Sequence, residues 1–312
     1  MPSLPQRPQT PQNRAPRRYV IGNTPIEVGR IGPGLHIVAT PIGNLGDITL
    51  RALETLAGAD FIACEDTRVT RKLLDRYGID TPLTPYHDHN AAIARPRLLE
   101  RLAEGAAVAL VSDAGTPLVS DPGYKLVRAA REAGHPVTAA PGASSVLAAL
   151  AVAGLPTDQF CFAGFLPPKE TARRARIAEL ARIPATLILF EAGPRIAATL
   201  ADLAAGLGHR EAALCRELTK LHEEIRRGDL KTLAQGAASS ETRGEFVVVI
   251  GPPPHAAQAS AEDAASMLRD ALGRVSVKDA VAEVAAATGL PRRELYQRAL
   301  ALTKERDHGA AR

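Results

Sequence analysis

Leu110–Pro122, which reads L-V-S-D-A-G-T-P-L-V-S-D-P, decides the fold class of this chain. It opens at the end of an apolar run, Val108-Ala109-Leu110-Val111, that reads as a buried strand. The run stops in Ser112, Asp113, Gly115, Thr116 and Pro117, and a second polar turn, Ser120-Asp121-Pro122-Gly123, precedes helix-forming residues. A short, continuously apolar strand suits a parallel sheet, whose two faces are both covered. Ligands of open α/β sheets bind beyond the carboxyl ends of the strands. Small residues there let a ligand approach backbone N–H and C=O groups closely. Two consecutive turns made of turn residues would account for the same letters. Partner loops elsewhere in the chain decide between the two.

Such loops exist. Leu35–Ala39 reads as a strand ending in Pro41-Ile42-Gly43-Asn44, with a helix over Thr49–Ala57 behind it. Phe61–Cys64 is a second strand, followed by a helix around Arg68–Arg76, a short strand near Leu83–Tyr86 and a helix over Ala91–Glu104. After Val108–Val111 comes a helix near Tyr124–Ala133, then Val137-Thr138-Ala139 and the loop Pro141–Ser145. Strands alternating with helices of this length imply βαβ units and a mainly parallel sheet. An Ala-rich helix over Val146–Ala153 meets Gly154-Leu155-Pro156, a break that reads as a domain boundary.

Beyond the break, strands are expected at Phe160–Phe165, Thr186–Phe190, Ala212–Arg216 and Phe246–Ile250, with helices near Thr171–Ala181 and Arg195–Ala205. From Ser260 the pattern is helical. Ser276 and Asp279 have the spacing of a capping box, Gly289 reads as a helix stop and Pro291 as a first-turn proline. These last helices fit a helix-turn-helix or a plain helical hairpin. The expected division is a disordered basic tail over 1–33, an α/β domain over 34–150, a second α/β domain over 151–254 and a helical extension over 255–312.

Composition narrows the function classes. Of 312 residues 46% are hydrophobic, enough for packed cores, while aromatics are 4% and Trp is absent, so the cores rest on Ala, Leu, Val and Ile. The net charge of +4 permits an RNA partner without demanding one. The amino end carries Arg7, Arg14, Arg17 and Arg18 with no acid before Glu27, and reads as a solvated tail. Cys64, Cys161 and Cys215 are odd in number and far apart, which fits neither a disulfide framework nor a zinc site and suits a reducing cytoplasm. No metal is expected, no apolar stretch is long enough for a membrane span, and the amino terminus lacks the apolar segment of a signal peptide.

Three loops therefore meet at one sheet edge: Pro41–Asn44, Asp113–Thr116 and Pro141–Ser145. The first lacks both the G-x-G-x-x-G dinucleotide pattern and the Gly-Lys-Ser/Thr of a P-loop. All three offer backbone groups, small side chains and few charges. That suits a ligand with polar edges and a cation kept away from Lys and Arg, such as S-adenosylmethionine. The second strand ends in Glu65-Asp66-Thr67-Arg68, where two acids and an Arg read as site residues, or Asp66 as a helix N-cap with Arg68 on the surface.

In chain order, A-T-P-I-G-N-L-G-D-I-T-L, E-D-T-R, L-V-S-D-A-G-T-P-L-V-S-D-P-G, P-G-A-S-S, G-F-L-P-P-K, R-E-L-T-K and a late G-E resemble the ribosomal RNA small subunit methyltransferase I family of the tetrapyrrole methylase superfamily. The resemblance runs from about Leu35 to Gly251. It implies two α/β domains of tetrapyrrole-methylase type with S-adenosylmethionine in the cleft between them. It further implies a homodimer and 2'-O-methylation of a cytidine ribose in the decoding region of 16S rRNA or the small ribosomal subunit. Carried over residue by residue, it puts Ile42, Ala114, Gly115, Thr116, Val119, Ser144, Ser145, Glu191 and Leu218 on the cofactor, to which the loop reading adds Pro41, Gly43 and Asp113.

The chain departs from the family at Phe190-Glu191-Ala192-Gly193-Pro194-Arg195, where Tyr-Glu-Ala-Pro-His-Arg is usual, and at Arg243-Gly244-Glu245, where Lys-Gly-Glu is common. The missing His is inferred to be dispensable. A ribose 2'-hydroxyl must lose its proton during or after attack, so a nearby base helps. Asp66, with Glu65 beside it and Lys169 as orienting group, is the expected catalytic set; Glu191 and Glu217 are further candidate bases, Lys220 is a further orienting or charge-stabilising group, and a desolvated lysine could itself be the base. Arg68, Arg195 and Lys220 are expected to touch RNA phosphates, with Lys169, Arg173, Arg174 and Arg216 as further contacts. The competing enzyme is a methylase of a tetrapyrrole or other small acceptor on the same fold. A non-enzyme alternative makes the last helices a DNA-binding unit; the reading taken here has neither DNA nor a membrane as partner.

Overall fold

The computed structural model describes residues 17–237, 243–253, 261–288 and 290–309. It opens on an antiparallel hairpin, β1 (Arg18–Ile21) and β2 (Thr24–Glu27). The first α/β domain then runs β3 (Gly34–Val38), α1 (Leu50–Gly58), β4 (Phe61–Cys64), α2 (Thr67–Arg76), β5 (Leu83–Pro85), α3 (Ala91–Ala103), β6 (Ala107–Val111), α4 (Tyr124–Glu132) and β7 (Val137–Ala140). The helix α5 (Ser145–Ala153) leads into β8 (Phe160–Phe165), α6 (Glu170–Leu180), β9 (Thr186–Ala192), α7 (Gly193–Leu207), β10 (Glu211–Arg216), β11 (Glu224–Asp229), α8 (Leu230–Ala237) and β12 (Glu245–Ile250). Three further helices follow, α9 (Ala261–Leu272), α10 (Val277–Thr288) and α11 (Arg292–Gly309).

The first sheet has the order β5-β4-β6-β3-β7 and every pairing in it is parallel. All residues of β4 and β6 are buried, as strands covered on both faces must be. One face packs against α1 and α2 through Leu53, Leu56, Leu73 and Leu74, the other against α3 and α4 through Leu98, Leu102 and Leu126. The chain leaves β3 toward β4 and leaves β6 toward β7, in opposite directions. The crevice at the carboxyl ends of β3 and β6 is thus the topological switch point where α/β sheets bind ligands.

The second sheet, β11-β10-β12-β9-β8, is mixed: β8 and β9 are parallel and the other pairs antiparallel. Helices α6, α7 and α8 cover one face. The other face takes α5, which is capped by Ser144 at its start and ends on the left-handed Gly154. That second face also receives Ile42 from the first domain, so the two domains share a core where the β3 loop enters it. Helices α9, α10 and α11 enclose their own core of Leu268, Val284 and Leu295. Ser276 and Asp279 form the expected capping interaction at the start of α10. Gly289, expected as a helix stop, lies outside the described residues, as does the tail before residue 17. Among the described residues no helix is long and apolar enough to cross a membrane.

The basic tail is corrected by the hairpin. Residues 18–27 are ordered because Tyr19, 2% exposed, packs into the first core and Arg17 reaches Asp60 at 2.7 Å and the Gly58 carbonyl. Asp60 also accepts from Arg30 at 2.7 Å and from the Ala107 N–H at 2.9 Å. Burial alone would raise its carboxyl, but the bonds from Arg30, Ala107 and Arg17 outweigh that and hold it well below the usual carboxylate range. A pKa lowered by folding gives stability that is complete above the unfolded value and is lost as pH falls below it. Hydrogen exchange of the Val20 and Val28 amides checks this. In Asp60→Asn we expect about 1.5–3 kcal/mol less protection at pH 7; in the unaltered chain the same protection declines below roughly pH 4.

Candidate functional site

At the switch point, Thr40 and Gly115 exchange both backbone hydrogen bonds, N–H to O at 2.8 and 3.0 Å. The Thr40 hydroxyl donates to the Ser112 carbonyl, and the Thr116 hydroxyl donates to the Ala143 carbonyl. These bonds join the ends of β3, β6 and β7, so the three loops do converge. Gly115 has φ of +76°, and a Cβ there would meet the Ile42 side chain at 3.3 Å. A side chain at this position would strain the backbone and crowd the crevice.

A cavity of about 300 Å³ lies against these loops, closed from the opposite side by the second domain. Ile42, Ala114, Gly115, Thr116, Val119, Ser144 and Ser145 come from the first domain and its link, and Glu191 and Leu218 from the second. Nine of the twelve positions expected on a cofactor, those given by the resemblance, therefore line one space. Pro41, Gly43 and Asp113 line an adjoining cavity instead. Sequence reading missed Asp121, Phe165, Phe190, Cys215, Glu245, Phe246 and Val247 as wall residues. Phe190 meets Phe162 and Phe165 edge to face at 4.8 and 5.6 Å, so this end is aromatic and apolar. Their position at the ends of β8 and β9 was the available signal.

The charged groups of the wall are Asp121, Glu191, Glu245 and a single cation, Lys220. Burial pushes the Asp121 carboxyl up against the lowering hydrogen bond from Ser112. Glu191 is fully buried; its carboxylate accepts from the Ala192 N–H at 2.9 Å and the Thr199 hydroxyl at 2.7 Å, with Arg195 at 3.3 Å. Lys220 Nζ donates to Glu217 at 2.8 Å and Glu245 at 2.9 Å. Among the described residues, four non-glycine residues have left-handed φ, and all lie in the two loops that face this space: Leu118 and Ser120 after β6, Glu217 and Thr219 after β10. Such strain gathers at functional sites.

The expected catalytic set is placed elsewhere. Asp66 caps α2: one carboxylate oxygen accepts from the Arg68 N–H at 2.8 Å, and both accept from its guanidinium. Those bonds, the Arg68 side chain first, bring its carboxyl down to about 2. Glu65 is pushed up by burial and by Asp113, Asp121, Asp88 and Asp66. Lys169 is exposed at the start of α6. None of the three lines either cavity. Asp113 uses its carboxylate to accept from the Asp66 N–H at 3.0 Å, tying β4 to β6.

Of the expected phosphate contacts, Arg68 is 87% exposed beside its Asp66 partner. Arg195 donates to the Leu166 carbonyl at 2.7 Å and stands 3.3 Å from the Glu191 carboxylate, contacts that give it a bracing role. Arg173 is buried against Asp202, which Arg174 also binds. Arg216 donates to the Arg243 carbonyl. Pro194, where the resemblance leads one to expect His, sits exposed in the first turn of α7 and lines neither cavity, a position that suits proline.

Comparison with known proteins agrees with this geometry. Residues 34–234 match the family model described as Tetrapyrrole (Corrin/Porphyrin) Methylases, and residues 258–303 match the RsmI C-terminal HTH domain. A protein of Mesorhizobium japonicum named ribosomal RNA small subunit methyltransferase I is 50% identical over 288 residues, 91% of this chain and 97% of its own. A protein of Erythrobacter litoralis with the same name is 54% identical over 87% of this chain and 96% of its own. In fold, the chain is similar to a cobalt precorrin-4 methyltransferase at a TM-score of 0.54 and 19% identity, over 70% of this chain and 94% of that one. A diphthine synthase also has a TM-score of 0.54, with 18% identity over 72% of this chain and 90% of its own.

The bracing role of Arg195 has a measurable consequence. In Arg195→Ala we expect about 1.5–3 kcal/mol lower unfolding free energy by urea denaturation, with the salt dependence of RNA binding unchanged. A phosphate contact would instead reduce that salt slope by roughly one counterion.

Proposed function

We infer the reaction from the premise that the chain belongs to the ribosomal RNA small subunit methyltransferase I family, within the tetrapyrrole methylases. It is a methyltransferase that takes its methyl group from S-adenosylmethionine and acts on the RNA of the small ribosomal subunit. The finer reading is 2'-O-methylation of a cytidine ribose in the decoding region of 16S rRNA, by a cytoplasmic homodimer. The observation that carries the cofactor is the meeting of nine positions from two domains in one cavity.

The cavity suits that cofactor on its own chemistry. Phe165, Phe190, Ile42, Leu218 and Val247 offer an apolar wall for an adenine ring. Ala114, Gly115 and Thr116 let polar edges reach the backbone. Asp121, Glu191 and Glu245 outnumber Lys220, so the wall is net negative and favours a cation. When bound, S-adenosylmethionine supplies an electrophilic methyl group on a sulfonium. The protein's own task is then to hold the acceptor oxygen in line and accept its proton, and positioning of that kind supplies much of a rate enhancement. An acceptor in a recess of this size has to leave its base stack, as targets of base-modifying enzymes do.

The direct test is methyl transfer from labelled S-adenosylmethionine to small ribosomal subunits of cells lacking the modification, with the product mapped by mass. A methyl on a decoding-region cytidine ribose is expected. Transfer only to a tetrapyrrole or another small acceptor would overturn the RNA reading while leaving the cofactor in place. For the cofactor itself, Gly115→Val is expected to weaken S-adenosylhomocysteine binding at least tenfold by calorimetry, an estimate from the strain and crowding at that site.

A further inference from the structure

The cofactor cavity has a neighbour of about 300 Å³, walled by Thr40, Gly43, Val69, Leu73 and Asp113. Ile42, Ala114, Lys220 and Glu245 line both spaces and so form the partition between them. Of these four, Lys220 alone carries a side-chain donor. Its stem lies so close to Gly43 that a Cβ there would overlap Lys220 Cγ. On the other side, Gly244 (φ +101°) leaves room for Glu217, whose carboxylate a Cβ would meet at 2.8 Å. Glu217 accepts from both Lys220 Nζ at 2.8 Å and the Glu245 N–H at 2.9 Å. Two glycines, one from each domain, therefore seat one lysine between two carboxylates at the boundary of two cavities.

We propose that the second cavity receives the ribose of the target nucleotide and that Lys220 is a catalytic residue, its ammonium donating a hydrogen bond to the ribose 2'-oxygen at the partition. This rests on the ribose-methylating reading above. A recess of this size holds one small molecule, not a stretch of RNA. Ile42, Leu45, Val69 and Leu73 give it apolar walls, and Thr40, Ser112 and Asp113 a polar end.

The charges favour this role over a phosphate contact. Lys220 with Glu217 and Glu245 sums to −1, so an ammonium can stand beside a sulfonium without net repulsion. A phosphate would bring further negative charge to a cluster that already sums to −1, whereas a neutral hydroxyl takes the third N–H of the ammonium without that repulsion. Burial lowers the lysine's affinity for its proton, but Glu217 and Glu245 outweigh that and hold the pKa above the ordinary lysine value. Lys220 is thus charged at neutral pH and acts as a donor, not as the base.

In the transfer, the 2'-oxygen forms a bond to the methyl carbon while the carbon–sulfur bond breaks and its electron pair stays on sulfur. The hydroxyl proton passes to the Glu245 carboxylate, whose side chain is 80% exposed and returns it to water. Glu217 is less suited to take it: burial raises its carboxyl, yet the bonds from Lys220 and the Glu245 N–H bring it below its ordinary value.

The experiment compares the unaltered protein with Lys220→Met and Lys220→Arg on small ribosomal subunits. Single-turnover rate, S-adenosylhomocysteine affinity and the salt dependence of subunit binding are measured for each, and lysine acetylation is mapped by mass with and without subunits. For Lys220→Met we expect a rate loss on the order of 100-fold, because without the neighbouring ammonium the 2'-hydroxyl gives up its proton to Glu245 less readily. Cofactor affinity should stay within threefold and the salt slope unchanged. Lys220→Arg should recover part of the rate, and subunits with S-adenosylhomocysteine should protect Lys220 from acetylation at least fivefold. A rate within threefold of the unaltered protein, a matching loss of cofactor affinity, or a salt slope lower by about one counterion would each overturn the proposal alone. An unaltered protein that methylates no subunit would overturn the ribose reading together with it.

Discussion

Everything in the site depends on one gap in a parallel sheet. Strands β3 and β6 are neighbours, but their connections depart in opposite directions, so no helix closes over their carboxyl ends. Backbone groups left there need partners, because buried N–H and C=O groups are costly to leave unpaired. Thr40 and Gly115 supply them to each other in a single reciprocal pair, and the Thr40 and Thr116 hydroxyls extend the pairing to Ser112 and Ala143. The crevice survives as a rigid rim instead of collapsing. A glycine is required in that pair, since the strands meet in a left-handed turn directly beneath Ile42.

The second domain completes what the rim leaves open, and it does so through missing side-chain atoms as much as through present ones. Ile42 enters the second core, while Gly43, the next residue, offers no Cβ and lets Lys220 lie across it. One residue of the first domain thus anchors the interface and its neighbour makes room for the charge. Gly244 does the same for Glu217 on the far side. The interdomain contact is in this sense also the site: an added methyl group at either glycine must move a member of the lysine–carboxylate cluster.

What was legible in the sequence follows from the range of the forces involved. Buried parallel strands declare themselves locally, since Phe61–Cys64 and Val108–Val111 are short apolar runs bounded by turn residues, and both are placed as expected, the second one residue longer at its start. The loops that end them were legible for the same reason. The β1–β2 hairpin was not, because Arg18–Ile21 and Thr24–Glu27 are short and mixed in polarity, and are held by a distant carboxylate, Asp60. Edge strand β11, with the sequence E-I-R-R-G-D, carries too little apolar pattern to be read as a strand. Charged residues were the least legible. Asp66 and Lys220 look alike in sequence, each an ionisable group in a motif. A residue two positions away, Arg68, occupies the first in a helix cap. The second meets Glu245, which is remote in sequence, and only the pairing of β10 with β12 brings the two together.

The distribution of strain explains why stability and chemistry do not compete in this molecule. Non-glycine residues in left-handed conformations cost on the order of 1–3 kcal/mol each. Here Leu118, Ser120, Glu217 and Thr219 gather in the two loops that face each other across the cleft. Both loops spring from strands buried along nearly their whole length, β6 and β10, so the cost falls where the scaffold is stiffest. A flexible loop would relax the strain and with it the alignment of Lys220, Glu217 and the Ala114–Thr116 backbone. Alignment within fractions of an ångström is what in-line transfer to an oxygen demands. The strained loops are therefore better understood as the means by which two apolar sheets hold a charged cluster and a ligand cavity in fixed relation.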